Sequence, residues 1–251
     1  STDLQQTAQL LRELCPDVEQ VHVFDEGVQE TLLAIQPHPS QVAFRASVVA
    51  LVKRQVRQTM RVNSFESGLH ELRCFLPDDP TKLTVVLGKH RTAEWNKTVR
   101  DRLIALSMQP ELSSASSVSH ADEEYSADIE DEFPIYDHVV KKVSRENDST
   151  KVDCHVDLNE VSITCNRKGD IGMVVFLEEV AALVGQDDLF KRSLLLIRAW
   201  WFYETAAYFG TSIRHYLNDF SMCVMVCAIF NQHHTRIQSP LQALCLFLAE
   251  Y

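Results

Sequence analysis

The sequence predicts an α+β chain: a small mixed sheet with flanking helices, followed by an all-helical part. Three observations carry this. Between residues 76 and 165, short runs rich in β-branched residues ("KLTVVL", "IYDHVVKKVS", "KVDCHVDLNEVSITC") are bounded by turn residues, the signature of strands. From Met173 onward the apolar spacing turns helical and stays so. Apolar residues make up 45% of the 251 residues, with only 7 Gly and 8 Pro, so most of the chain has a core to bury.

Residues 2–14 (TDLQQTAQLLREL) read as a short amphipathic helix closed by Cys15-Pro16, and 1–39 as a helix and linker packing on the helical part. A second helix spans 40–61. Ser40 can cap it, and Phe44, Val48, Val49, Leu51, Val52 and Val56 supply its apolar face. Lys53, Arg54, Arg57 and Arg61 fall largely on the other side, as either a solvated face or a phosphate or partner contact. The loop "NSFESGLHELRC", the turn "PDD" and the strand "KLTVVL" follow. A third helix, 92–107, takes Thr92 as its cap and turns Trp95, Val99, Leu103 and Leu106 inward. Its Lys97, Arg100 and Arg102 would join the earlier basic stripe in one positive surface if both helices share a side of the sheet. That surface is the best candidate for an RNA backbone.

Residues 110–132 are Ser-rich and then acidic, and read as a disordered insertion. Two strands follow, "IYDHVVKKVS" and "KVDCHVDLNEVSITC", separated by the turn "RENDST". On the second, Glu160 shares a face with Ser162 one pleat away, and Asp153 and Asp157 face elsewhere. The helical part opens with "MVVFLEEVAALVG", stopped by Gly185. "DLFKRSLLLIRAWWFYETAAYFG" is apolar nearly all round and reads as a buried central helix, its aromatic cluster as core. Asn218 caps "NDFSMCVMVCAIFNQ", and Ser239 with Pro240 opens the last helix. The domains are therefore 40–172 and 173–251, after the N-terminal 1–39.

Eight acids between Glu111 and Glu132 account for most of the formal net charge of −11, so the body is nearly balanced and nucleic-acid binding must rest on a local patch. The seven cysteines include no C-x-x-C pair, which favours a reducing, intracellular compartment over a zinc site. Nucleus, cytoplasm and organelle are not distinguished. No apolar run is long and pure enough to span a membrane. Cys154 and His155 alternate on a strand, so they point to opposite faces and make no nucleophile pair.

The order of elements and their local wording resemble the nucleotidyltransferase superfamily of poly(A) polymerases, terminal uridylyltransferases and oligoadenylate synthetases, with the greatest likeness to plant-type members. "FLEEVAALVGQDDLFKRSLLLIRAW" is similar to their central-domain segment, "LPDDPTKLT" to their "LPDGDIDLT", and "CHVDLNEVSITCN" to a strand ending "VDISFN". The resemblance implies a nucleotidyltransferase-like sheet domain and a substrate-binding-type helical domain. It also implies two-metal phosphoryl transfer, with two Mg²⁺ held by three carboxylates.

Carried over position by position, those carboxylates fall on Pro80, Lys82 and Ser162. Proline has no ligating side chain and lysine would repel a cation. The resemblance then implies a catalytically inactive relative with no cofactor, acting as a structural or RNA-binding subunit of a larger protein assembly. The alternative is an active terminal nucleotidyltransferase whose Mg²⁺ site is displaced to Asp78, Asp79 and Glu160. The family's phosphate-contacting turn falls at Gly68, its triphosphate lysine on Arg198, and its ribose and base contacts on Asn218, Asp219 and Phe220. The sequence ends inside an expected helix, so the helical domain reads as truncated.

Overall fold

The computed structural model describes residues 25–88, 94–108, 138–144, 150–204 and 217–251. The helix expected over 2–14 and the acidic insertion lie outside the described residues. The chain forms two compact units. One, built from 38–68 and 79–171, holds the sheet. The other gathers the segment up to Pro37, 69–78 and the chain from Gly172 onward.

In the sheet unit the elements are α2 (Pro39–Met60), β1 (Ser64–Glu66), β2 (Thr81–Val85), α3 (Trp95–Ser107), β3 (Val140–Val143), β4 (Lys151–Val156) and β5 (Asn159–Cys165). The strands lie in the order β1-β2-β5-β4-β3; only β2 and β5 pair in parallel. The mixed sheet is as the sequence predicts. Helices α2 and α3 cover one face, where Val48, Val52, Trp95, Val99 and Leu103 pack on Leu83, Val152, Cys154 and Ile163. The other face of the sheet carries the polar partners of that alternation.

Local chemistry sets several boundaries away from the expected ones. The cap of α2 is His38, not Ser40: its ring accepts from the Ser40 N–H, Gln41 reaches back to the His38 N–H, and Pro39 stands in the first turn. The helix stops at Arg61, which takes a left-handed conformation (φ 53). Helix α3 starts at Trp95 after a left-handed Glu94 with no side-chain cap; Thr92 lies outside the described residues.

The run "KVDCHVDLNEVSITC" is not one strand but a hairpin. Val156 pairs with Asn159 across the two-residue turn Asp157-Leu158, with Asp157 at φ 55. His138 Nδ1 lies 2.6 Å from Asp157 Oδ2 and its Nε2 lies 2.7 Å from Ser47 Oγ, tying that turn to α2.

The helical unit contains α1 (Asp25–Ile35), α4 (Lys168–Val184, whose first residues belong to the sheet unit), α5 (Leu189–Ala199), α6 (Asp219–His233) and α7 (Pro240–Glu250). A π-helical turn, Trp200–Glu204, extends α5. Its core joins Leu177, Phe190, Leu194, Ile197, Val226, Ile229 and Phe247 to Leu69, Leu72 and Cys74 from the short middle segment. Helix α1 went unmarked in the sequence; Leu32 anchors it beside Leu76, Leu195 and Ala199. The connection from α4 to α5 runs through four consecutive positive φ values, Gly185 (60), Gln186 (43), Asp187 (50) and Asp188 (57). No helix among the described residues is long and apolar enough to cross a membrane.

Candidate functional site

The polar face of the sheet is built by parity. Leu83 and Val85 point to the core, so Lys82 points the other way. In parallel register Lys82 pairs with Ser162, and in antiparallel register Ser162 pairs with Asp153. The three side chains thus form one row across β2, β5 and β4. Ser162 Oγ donates to Asp153 Oδ1 at 2.7 Å, and Lys151 Nζ holds Asp153 Oδ2 at 2.7 Å.

Asp153 is where sequence reasoning went astray: read on one continuous strand, it faces away from Ser162. The hairpin turn puts it on the neighbouring strand, directly opposite. The signal was present, because the apolar positions are even through 152, 154 and 156 and odd through 161 and 163. Such a switch in parity marks a turn.

Gly68, where the family's phosphate-contacting turn is expected, lies against the same row. Ser67 N donates to Lys82 O at 2.9 Å, and a Cβ placed on Gly68 (φ +97) would meet Lys82 Cδ at 3.3 Å. Glycine there lets the lysine stem run beside the backbone. Pro80 precedes β2. Of the fallback carboxylates, Asp78 is exposed, and Asp79 accepts through its backbone carbonyl from Arg45 Nη1 (2.7 Å). Glu160 is exposed on the polar face, opposite His155.

The donor set decides the fit of a metal pair. Two divalent ions need several carboxylates converging at about 3.5–4 Å separation. This row offers one carboxylate, already shared by a lysine and a hydroxyl, beside a second lysine. Among the described residues no three His, Cys, Asp or Glu side chains converge. The described residues therefore do not fit two Mg²⁺ ions.

In the helical unit Arg198 is 6% exposed. One guanidinium nitrogen donates to the Cys74 carbonyl, and the other lies 3.0 Å from Asp219 Oδ1. Arginine at 198 and aspartate at 219, both departures from the family wording, are thus partners in one part-buried pair. The position expected at a triphosphate is committed to holding segment 69–78 and α6 together. Asn218 caps α6 by accepting from Ser221 N at 2.8 Å, and Phe220 is 55% exposed.

Burial pushes the Cys74 and Cys223 thiols up to about 12, against the opposing pull of the Arg198 charge. It also pushes up Cys154, beside the Asp153 carboxylate, to about 12. These thiols are core side chains and not nucleophiles.

Of the seven cations considered for RNA, Lys53 is paired with Glu66 at 2.8 Å and Arg100 is 7% exposed. Arg102 Nε donates to Gln55 Oε1 across α2 and α3. Arg54, Arg57, Arg61, Lys97 and Arg102 are exposed. The two helices do share one side of the sheet, the condition on which a joint surface depends.

Comparison with known proteins places this geometry. The fold is that of the Cid1-type nucleotidyltransferases. A structure of Cid1 described by its RNA terminal uridylyl transferase activity superposes with a TM-score of 0.58 at 13% identity, covering 82% of this chain and 54% of that one. A cytoplasmic RNA terminal U-transferase gives 0.55 at 14% identity, over 82% and 51%. Cid1 poly(U) polymerase with MgGTP gives 0.57 at 12%, over 84% and 56%. The chain spans about half the length of these structures. Residues 184–251 match the PAP/OAS1 substrate-binding domain. No curated protein matches the chain.

Proposed function

We propose that this chain is a terminal-nucleotidyltransferase-type protein that engages RNA, and that its polar sheet face binds without carrying out metal-dependent transfer. The observation that carries this reading is the row Lys82–Ser162–Asp153, in which a lysine and a serine occupy the strand positions that ligate metal in the resembled family. A lysine ammonium on that row opposes a divalent cation by charge, where a merely shortened ligand would only weaken it. The protein then serves as an RNA-binding or structural subunit of a larger assembly.

The test is a tailing assay with purified protein, a short labelled RNA, each NTP in turn, and Mg²⁺ or Mn²⁺. The expected result is no extension while an active uridylyltransferase extends the same RNA in parallel. Tail synthesis that survives further purification sinks the reading.

The likenesses themselves favour a second reading, an active terminal nucleotidyltransferase with a displaced site. The structure gives it one specific support: Asp153 and Glu160 stand on the same sheet face on adjacent strands, as diagonal neighbours at about 7–8 Å. On this reading Asp153→Ala and Glu160→Ala each abolish tailing, whereas Lys82→Ala leaves it intact.

A further inference from the structure

We propose that a basic cleft at the β3–β4 edge of the sheet unit binds the backbone of single-stranded RNA. This rests on the reading that the protein engages RNA, and names where. The cleft has a volume of about 880 Å³ and lies between the C-terminal half of α3 and the edge strand β3. That volume is in the range of ligand clefts, about 300–1,000 Å³.

Its walls carry two exposed cations, Lys141 and Lys142, with the buried Arg100 behind them, against one carboxylate, Asp153. Asp153 is already paired with Lys151 at 2.7 Å, so among the described residues the exposed charge left on the lining is positive. Lys141 and Lys142 are both exposed, and among the described residues neither is paired with a carboxylate. The β3 bulge between Val140 and Lys142 places Lys141 outside the regular ladder and leaves Lys142 opposite His155.

Between the cations the wall is apolar: Ile104, Met108 and Val143 line the same space. Cations spaced along a groove with apolar contacts between them suit a single strand, whose phosphates and base faces both need partners. A duplex keeps its base faces stacked inside and offers none of them to the apolar wall. The cleft is also continuous with the row described above, because Asp153 lines it and accepts from Ser162, the register partner of Lys82. A strand laid in the cleft runs toward the position where transfer occurs in the resembled family. The edge lysines also keep β3 from pairing with another chain, a role indifferent to RNA and separable from it by experiment.

The experiment measures binding of a 5′-labelled 15-nucleotide oligo(U) by fluorescence anisotropy, at several salt concentrations, to the full chain and two charge-reversal variants. Lys141→Glu/Lys142→Glu tests the cleft; Arg54→Glu/Arg57→Glu tests the exposed face of α2. All four side chains lie on the surface, and matching circular dichroism spectra confirm that both variants fold.

The expected result is that the cleft variant binds at least tenfold more weakly and its salt slope falls by about 1.4, two phosphate contacts at about 0.7 each. The α2 variant should stay within threefold of wild type. If the cleft variant binds like wild type and the α2 variant does not, the cleft assignment is wrong and RNA engagement stands. If wild type itself fails to bind, the RNA reading falls with it. Displacement of the RNA by poly-glutamate at equal charge concentration would make the occupant an acidic polypeptide and overturn the proposal.

Discussion

Removing Asp219 should destabilise the helical unit by more than an ordinary surface substitution. Arg198 is 7% exposed at its side chain and Asp219 31%, with 3.0 Å between the charged atoms. At an effective dielectric of about 20, two charges at that separation attract by about 5–6 kcal/mol. Water reaching the carboxylate and the desolvation of both groups offset roughly half of this. The first turn of α6 adds a dipole contribution of about 0.3–1 kcal/mol for a carboxylate at Asp219.

Asp219→Ala is therefore expected to cost about 2–4 kcal/mol, since it takes the carboxylate away from a buried guanidinium. Arg198→Met with Asp219→Ala should cost less than the sum of the two single changes. Chemical denaturation of the four proteins measures the coupling directly. Additive single changes within about 0.5 kcal/mol would refute the claim that these residues act as one pair.

Other perturbations test different parts of the molecule. Gly68→Ala forces a side chain onto φ +97 and should cost about 1–2 kcal/mol by denaturant midpoint; no loss would mean the loop re-forms at negative φ. Asp157→Ala loses the His138 contact and keeps the left-handed strain, so it should cost about 2–3 kcal/mol, with Asp157→Gly about 1 kcal/mol less damaging. The thiols of Cys74, Cys154 and Cys223 are raised to about 12 against an ordinary 9.0. Stability should hold below pH 9 and fall between 9 and 12, as the unfolded chain ionises thiols that the folded one keeps protonated, by about 1.4 kcal/mol per thiol and pH unit. At pH 8 an alkylating reagent followed by mass spectrometry should label these three only on unfolding; labelling in the native state would contradict their burial.

What was legible in the sequence is what depends on near neighbours. The Asn218 and Ser239 caps, the stop at Gly185 and the change from strand to helix all rest on a few adjacent residues. Pairing between distant segments was not legible. Arg198 and Asp219 looked like two separate departures from a family pattern, and only the fold makes them one interaction. The β4–β5 turn shows in the sequence only as a switch of parity inside an alternation that continues on both sides, and read without that switch Asp153 falls on the wrong face. Helical periodicity displays the basic residues of α2 and α3, whereas Lys141 and Lys142 lie on a short edge strand that shows no such pattern. The segment 69–78 read as a loop, yet Leu72 is fully buried in the helical core.

That last segment has a consequence for biosynthesis. The sheet unit is complete once residue 171 has left the ribosome, whereas the helical unit needs Leu72 and Cys74 from early in the chain and Phe247 from late. At roughly 5–20 residues per second, the interval between 171 and 247 is roughly 4–15 s. During that time Leu69, Leu72 and Cys74 await the later helices that complete their core. Vectorial synthesis thus leaves this short stretch incompletely covered until the last helix emerges. Slowing translation between 171 and 247 lengthens its exposure without altering a single residue.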